Sequence, residues 1–461
     1  MLVLLVHYDF PFSSLPFLEY VDPSMNQLSG TIPSEIGKLT NLIYLDLSIY
    51  QISCKIPTQI GSLAKLETLF IFNNHLNGFI PVELGKMKSL KVLALESNNI
   101  SGPIPSELGN LKHLTDLELF HNQLSGSIPI TLGDLTEIKI LYLHSNQLSG
   151  SIPSELGKCN KLTDLRIVRT RIGGSIPPEI GNVKGLLGLD LSSNHLIGKI
   201  PKEFGKLTSL IKLLVQNNSI SGNIPEELGS LAKLESLDLS DNRLNGLIPT
   251  CIGDFVHLFQ LNLSNNKFSQ KIPMEIGRMT QLNILDLSYN LLVGEIPPQL
   301  ANLKVLVDLN LAHNGLSGHI PEELESLTGL QDVVLSYNEL EGFQPCERPS
   351  TVVKKHSMVK RHKLILITLL PVMGALVLIC ALLGVLSMCD KRRRAKNDGR
   401  QNADGWLSIS ILDGKALYRD ILNATEEFEA TFCIGQGGHG SVYKVNLLSL
   451  GTIAVKISLF N

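Results

Sequence analysis

Strong charge of either sign is absent from this chain of 461 residues, in which 40 lysines and arginines face 43 aspartates and glutamates for a net charge of −3. Nucleic-acid-binding proteins carry a strongly basic surface, so this composition argues against a nucleic-acid partner. The seven cysteines are an odd number and are scattered without a CxxC pair or a zinc-type spacing. The sequence therefore supports neither a disulfide framework nor a metal site.

An internal repeat makes up most of the sequence. The pattern LxxLxxLxLxxNxLxGxIPxxLGx recurs every 24 residues, in fourteen copies that cover residues 15–350 without an insertion. The alternating leucines predict a short strand that faces a shared core, and one unit is too small to bury that face alone, so the units are expected to stack. The asparagine is expected to bond backbone groups at the turn, the following glycine to allow a tight bend, and the proline to fix the convex side.

These copies, here numbered one to fourteen, resemble the plant-specific leucine-rich repeats through their "LSGxIPxxLG" segment. The resemblance implies an α/β-type leucine-rich-repeat solenoid of mostly short parallel strands with few helices. Solenoids of this family carry an amino-terminal cap with paired cysteines, whereas residues 1–14 contain no cysteine and no clear signal peptide. We therefore expect the amino terminus to be incomplete.

A transmembrane helix is predicted at 364–388, where 25 residues carry no charge. At about 1.5 Å per residue this run exceeds a hydrocarbon core of about 30 Å, although a buried core helix is the alternative. The basic cluster from Lys391 to Arg394 favours a cytoplasmic carboxyl side. The glycosylation sequons at Asn99, Asn217 and Asn262 favour extracellular repeats. Residues 351–363 and 389–430 are then the extracellular and cytoplasmic juxtamembrane segments.

A glycine-rich loop, "IGQGGHGSVYK", opens the last segment, 431–461, and "AVK" follows it. The run "SVYKV" reads as a strand, which disfavours a dinucleotide-binding fold because that fold needs a helix there. The segment resembles the first strands of a protein-kinase N-lobe. The resemblance implies ATP as cofactor, with Mg in a complete domain, and a binding set of Ile434, Gly435, Gly437, Gly438, Gly440, Val442 and Lys456.

The order of repeats, span and kinase segment resembles the plant leucine-rich-repeat receptor-like serine/threonine kinases. This resemblance implies a single-pass plasma-membrane receptor with extracellular repeats and a cytoplasmic carboxyl terminus. It also implies a peptide or protein ligand, and names a co-receptor kinase as a candidate partner. The chain contains no HRD or DFG motif after its glycine loop, so no catalytic residue is assigned and we expect it to transfer no phosphate. The alternative is a kinase-dead, membrane-tethered binding module or decoy receptor.

Repeats three to seven carry the candidate ligand surface. Repeats eight, ten and twelve read "LDLS" on the predicted concave sheet. At the same positions, repeats three to seven carry aromatic and charged side chains. The residues are Phe70, Phe72, Glu96, Glu118, Phe120, His121, Tyr142, His144, Arg166 and Arg169. Aromatic and arginine side chains are typical of binding hot spots. We expect a ligand anchored on Phe72, Phe120 and Tyr142, with Arg166 and Arg169 meeting an acidic group. The alternative is that the rings pair across strands and bind nothing.

Overall fold

The computed structural model describes residues 17–21 and 29–341, together with the backbone of 433–437, 440–447 and 451–457. Within these residues repeats two to thirteen each contribute a strand of a main sheet, a turn, a second short strand and a 3₁₀ helix. The predicted solenoid of short parallel strands is confirmed. Its helical elements are five-residue 3₁₀ helices rather than α-helices, because two strands and two turns leave little of a 24-residue repeat for a helix.

The main sheet contains fourteen parallel strands in the described part of the chain, ordered as in the sequence. They are Tyr20–Val21, Tyr44–Asp46, Thr68–Phe70, Val92–Ala94, Asp116–Glu118, Ile140–Tyr142, Asp164–Arg166, Gly188–Asp190, Lys212–Leu214, Ser236–Asp238, Gln260–Asn262, Ile284–Asp286, Asp308–Asn310 and Asp332–Val334. Residues one repeat apart pair throughout, from Tyr20 with Tyr44 to Asp308 with Asp332. Equivalent side chains therefore stand in rows across the sheet, about 4.8 Å from one strand to the next.

The core follows from the leucine pattern. In repeat five, Leu111, Leu114, Leu117 and Leu119 are fully buried, and the same positions are buried in most of the other repeats. Burial of one leucine side chain contributes about 2 kcal/mol. Because the strands alternate, the residues between these leucines face away from the core and form the solvent-facing side of the main sheet.

The asparagine row closes the turn after most of the main strands, as predicted. Asn146 accepts a bond from the Leu124 amide at 3.0 Å and donates to the carbonyls of Leu119 and Leu143, each at 3.0 Å. It thus ties its own turn to the preceding repeat. Thr170 replaces asparagine in repeat seven, and its hydroxyl donates to Asn194 of the next repeat.

The second strands pair with those of neighbouring repeats in shorter sheets. They are Ser29–Thr31, Gln51–Lys55, His75–Asn77, Ser101–Pro103, Gln123–Ser127, Gln147–Ser149, Gly173–Ser175, His195–Ile197, Ser221–Gly222, Arg243–Gly246, Lys267–Gln270, Leu291–Gly294, Gly315–His319 and Glu339–Glu341. The predicted bend glycine has positive φ in most repeats, for example 77° at Gly126. Cys54 and Gln270 stand at the same position with φ of 68° and 70°, a backbone conformation that favours glycine.

Each 3₁₀ helix begins directly after the repeat's proline, whose φ near −65° suits the entry to a helix. The helices are Ser34–Lys38, Thr58–Ser62, Val82–Lys86, Ser106–Asn110, Ile130–Asp134, Ser154–Lys158, Pro178–Asn182, Lys202–Lys206, Glu226–Ser230, Thr250–Asp254, Met274–Arg278, Pro298–Asn302 and Glu322–Ser326. The helix glycine lets successive repeats approach closely: a Cβ on Gly133 would lie 2.5 Å from the carbonyl oxygen of Glu155.

A separate antiparallel sheet forms near the carboxyl end from Cys433–Gly437, Gly440–Leu447 and Gly451–Ile457. The strand predicted for "SVYKV" is confirmed by the second of these. No helix among the described residues has both the length and the apolar character needed to cross a bilayer. The predicted span at 364–388 lies outside those residues, as do both juxtamembrane segments and 1–14.

Candidate ligand-binding surface

Two positions of each repeat set the chemistry of the solvent-facing side of the main sheet. In repeat ten they are held by Asp238 and Ser240, and we call them the acid position and the serine position. Oδ1 of Asp238 accepts bonds from both the amide and the hydroxyl of Ser240, at 3.0 and 2.6 Å. The same pairing recurs at Asp46 with Ser48, Asp190 with Ser192, Asn262 with Ser264, and Asp286 with Ser288. These repeats therefore satisfy their own polar groups.

Repeats three to six replace this pair with aromatic residues, glutamates, an alanine and a histidine. We use the name aromatic strip for five of the predicted ligand residues, Phe70, Phe72, Phe120, Tyr142 and His144. All five are half-buried. They form two groups, one in repeat three and one in repeats five and six, and repeat four lies between them.

The group in repeats five and six is closely stacked. The Phe120 ring lies parallel to the His144 ring at 4.3 Å and contacts the Tyr142 ring edge-on at 6.2 Å. Tyr142 also lies beneath Arg166, whose guanidinium carbon is 4.5 Å from the ring centre. The cross-strand pairing considered as the alternative is therefore present. This pairing covers part of each ring, and the rest of each ring faces solvent.

Arg166 is not an isolated cation. Its Nε and Nη2 donate to the two carboxylate oxygens of Asp164, at 2.9 and 3.1 Å. This hydrogen bonding raises the pKa of Arg166. Arg169 is exposed, has a left-handed backbone with φ of 49°, and forms no ion pair with any described residue. Of the two predicted anion-binding residues, Arg169 is the one without a carboxylate partner in the described structure.

The group in repeat three extends further than the sequence indicated. Phe70 and Phe72 contact each other edge-on at 5.8 Å, and Phe70 also contacts Tyr44, whose ring lies 6.5 Å from that of Tyr20. Tyr20 and Tyr44 belong to the first two repeats, outside the predicted ligand surface of repeats three to seven. Their place one and two repeats before Phe70, in the same alternating phase, was a signal that could have found them.

Three buried side-chain atoms in the described part of the chain have no hydrogen-bond partner: Oε2 of Glu96, Nδ1 of His144 and Oε1 of Gln216. All three residues occupy the serine position, and none has an acid or amide at its acid position. Burial, with a smaller effect from the Glu118 carboxylate, raises the pKa of Glu96 to about 7. Burial and the nearby cations lower the pKa of His144 to about 4. His144 is therefore uncharged at neutral pH, whereas Glu96 changes from protonated to ionised around pH 7.

The three sequons lie in different settings. Asn99 and Asn217 are exposed. Asn262 is half-buried and uses Oδ1 to accept bonds from the amide and hydroxyl of Ser264, the serine of its own sequon. Asn262 thus takes the part that aspartate plays in repeat ten, and glycosylation of all three stays a prediction.

The predicted ATP-binding residues are distributed over the carboxyl-terminal sheet. Ile434, Gly435 and Gly437 lie in its first strand, Gly440 and Val442 in the second, and Lys456 in the third. Gly438 lies outside the described residues. The register places Gly437 opposite Gly440 across the turn, and Val442 opposite Lys456. The glycine loop therefore joins two paired strands, and the lysine lies on a third strand beside them.

Comparison with known proteins adds to this picture. Models of the leucine-rich repeat match residues 8–166, described as a leucine-rich repeat region, and also 212–268, 185–207, 281–303 and 305–327. A curated relative, MDIS1-interacting receptor like kinase 2 of Arabidopsis thaliana, is 35% identical over 109 residues, which are 23% of this chain and 10% of that protein. The chain thus spans about one tenth of the length of that relative.

Solved structures give broader coverage. The plant peptide hormone receptor RGFR1, in complex with RGF2, is 37% identical with a TM-score of 0.71, covering 72% of this chain and 54% of the receptor chain. A leucine-rich-repeat protein of Leptospira interrogans is 32% identical with a TM-score of 0.58, covering 68% of this chain and 77% of that one. The chain belongs to the leucine-rich-repeat proteins, and within them it is similar to the receptor kinases of plants.

Proposed function

We propose that this chain belongs to a plant receptor kinase whose repeats bind an extracellular peptide or protein on the aromatic strip. The observation that carries the proposal is the contrast within one sheet. Five repeats close their acid and serine positions with internal hydrogen bonds, whereas repeats three, five and six expose parts of aromatic rings there. Partly exposed aromatic rings beside an arginine are typical of interfaces. The similarity to a plant peptide hormone receptor supports a ligand of that class.

The carboxyl-terminal sheet fits the same proposal as the first strands of a serine/threonine kinase. Its strand order and the pairing of Val442 with Lys456 fit a glycine loop that covers the phosphates of ATP and a lysine that binds them. ATP, with Mg²⁺, is then the cofactor of the complete domain. In this proposal the predicted span at 364–388 anchors the receptor in the plasma membrane with the repeats outside, and a co-receptor kinase is a further partner.

Selection from a display library of random short peptides on the full chain tests the ligand surface. Alanine at Phe120, Tyr142 or Arg166 is expected to weaken a selected peptide by about 1 kcal/mol or more, roughly fivefold in Kd. Asp286→Ala is the matched control, because it removes a side chain from the same side of the sheet in repeat twelve. The proposal fails if the variants of Phe120, Tyr142 and Arg166 bind normally while Asp286→Ala abolishes binding, or if no peptide is enriched.

A further inference from the structure

Repeat four interrupts the aromatic strip with a small residue and a carboxyl group. Ala94 occupies its acid position and Glu96 its serine position, and Glu96 is only 8% exposed. The Oε2 atom of Glu96 has no hydrogen-bond partner. A hydrogen bond with the backbone of Glu96 itself partly offsets the effect of burial on the pKa. A buried carboxylate oxygen without a partner still destabilises a protein unless the carboxyl is neutralised by a proton or by a cation. Repeat four therefore leaves one carboxyl oxygen of this surface without a hydrogen-bond partner.

The neighbouring strands place aromatic residues on both sides of Glu96. Phe72 and Phe120 occupy the serine position in the repeats before and after Glu96, and backbone bonds join the strands here: Asn73 donates to the Glu96 carbonyl at 2.9 Å, and Ser97 donates to the Phe120 carbonyl at 3.0 Å. A phenyl-bearing residue thus lies on each side of Glu96, about 4.8 Å away along the row. Faces of phenyl rings attract cations as carboxylates do.

A second carboxyl lies beside the first. Glu118 pairs with Ala94 across the sheet and is half-buried, so it is the more accessible of the two acids. The pKa of Glu118 is raised overall, because burial and Asp116 raise it more than the nearby Arg166 lowers it. No lysine or arginine forms an ion pair with Glu96 or Glu118 among the described residues. Two poorly neutralised acids between aromatic residues have the composition of a cation site.

We propose that Glu96 and Glu118 receive a basic group of the ligand, a lysine or arginine side chain or a peptide amino terminus, between Phe72 and Phe120. This inference rests on the proposed function and adds the charge of the ligand to it. The exposed Arg169 belongs to the repeat two beyond that of Glu118, and it follows Arg166, the residue in register with Glu118, by three positions. The fitting ligand therefore carries a basic residue and, further along its chain, an acidic residue.

The same random-peptide library, selected in parallel on the full chain and on its variants, tests the inference. On the unmodified chain we expect lysine or arginine to be enriched about tenfold at one peptide position. Glu118→Gln and Glu96→Gln keep the size of the side chain and remove its charge, and both are expected to abolish that enrichment. Asp238→Asn is the matched control, because it neutralises a carboxylate at the same position as Glu118 in repeat ten, and it is expected to leave the enrichment unchanged.

The outcomes separate this inference from the proposed function. Peptides that depend on Phe120 and Tyr142 but show no basic preference, or keep it in Glu118→Gln and Glu96→Gln, overturn the cation site and leave the ligand surface standing. Selection of no peptide overturns both. Loss of the basic preference in Asp238→Asn as well overturns the cation site, since the effect is then not specific to repeats four and five.

A pH series supplies a readout that a purely structural role would not give. The groups beside Glu96 are Phe70 and Phe72 on the preceding strand and Glu118 and Phe120 on the following one. Since the pKa of Glu96 is raised to about 7, affinity for a selected basic peptide is expected to rise about tenfold from about pH 5.5 to about pH 8. Glu96→Gln is expected to flatten the rise, and an unchanged profile in that variant contradicts the inference.

Discussion

Asp238 binds Ser240 through a single oxygen, Oδ1, which accepts both the serine amide and the serine hydroxyl. Glu96 occupies the position of Ser240 in its own repeat, but Ala94 stands where Asp238 would be and offers no polar group. The carboxyl of Glu96 is therefore buried without the partner that this position has in five other repeats. The difference makes stability depend on pH in a predictable direction.

Glu96→Gln is expected to stabilise the protein increasingly as the pH rises. Burial raises the pKa of Glu96 from 4.5 to about 7, so the folded state favours the protonated acid. The wild-type chain keeps its full stability below about pH 4.5 and loses part of it as the pH rises through 7. Glutamine cannot ionise, so the free energy of unfolding of the variant should exceed that of the wild type by up to about 3 kcal/mol above pH 7. Thermal unfolding at several pH values measures the difference.

The control for this pH series is Glu107→Gln, which changes an exposed glutamate. It should show no comparable rise. The double change Ala94→Asp with Glu96→Ser rebuilds the arrangement of Asp238 and Ser240, and it too should be more stable than the wild type at neutral pH. A constant difference between wild type and Glu96→Gln from acid to neutral pH contradicts the account of Glu96.

Asn146→Ala is expected to loosen repeats five and six. The side chain satisfies the Leu124 amide and the carbonyls of Leu119 and Leu143, and alanine leaves all three without that partner. The local free energy of opening should fall by about 3 kcal/mol. Hydrogen exchange of the backbone amides of repeats five and six measures this free energy, and Asn110→Ala, at an exposed position, is the control. Equal protection in the two variants would show that the asparagine row contributes little.

Gly133→Ala is expected to destabilise the stack of 3₁₀ helices. The new methyl group would lie 2.5 Å from Cβ and from the carbonyl oxygen of Glu155, so the two repeats must separate. A cost of about 2 kcal/mol is typical of such overpacking. At Gly185 the nearest oxygens are 3.7 and 3.9 Å away, and Gly185→Ala should be neutral or slightly stabilising. Similar melting temperatures for the two variants would refute the close approach at Gly133.

Ile49→Asn is expected to stabilise the turn after the second main strand. Ile49 is exposed and has φ of 63°, a conformation that β-branched residues rarely adopt and asparagine tolerates. The gain should be about 1 kcal/mol. Asn73→Ile makes the reverse change at the same position of the next repeat, where φ is 53°, and should cost a similar amount. If both substitutions shift the melting temperature in the same direction, backbone strain is not the cause.

The sequence predicted the features that repeat and missed those that depend on one neighbour. Leucine alternation and the asparagine row follow from local periodicity, so strands, turns and core were found correctly. That Arg166 meets an acidic group of the ligand stays a prediction, and the structure adds an ion pair with Asp164, two residues earlier on the same strand. A period of two places those side chains on one side of the sheet, so this ion pair was available to sequence reasoning.

The isolation of Glu96 was harder to foresee. Glu96 was recognised as one of several charged residues on the sheet, but the role of Asp238 toward Ser240 is visible only in the structure. Once that pairing is known, Ala94 two residues before a glutamate becomes informative. The aromatic contacts also depend on side-chain rotamers, which the backbone period does not determine.

The unchanging register of the main sheet makes whole repeats interchangeable. Every strand from Tyr20–Val21 to Asp332–Val334 pairs with the same one-repeat offset, so removing or duplicating a whole number of repeats rejoins matching strands, turns and helices. An insertion of one residue in a strand would turn its leucines to the other face. Genetic recombination between repeats can therefore transfer the block that holds Glu96, Phe120 and Tyr142 as a cassette, and recognition can diversify while the scaffold stays intact.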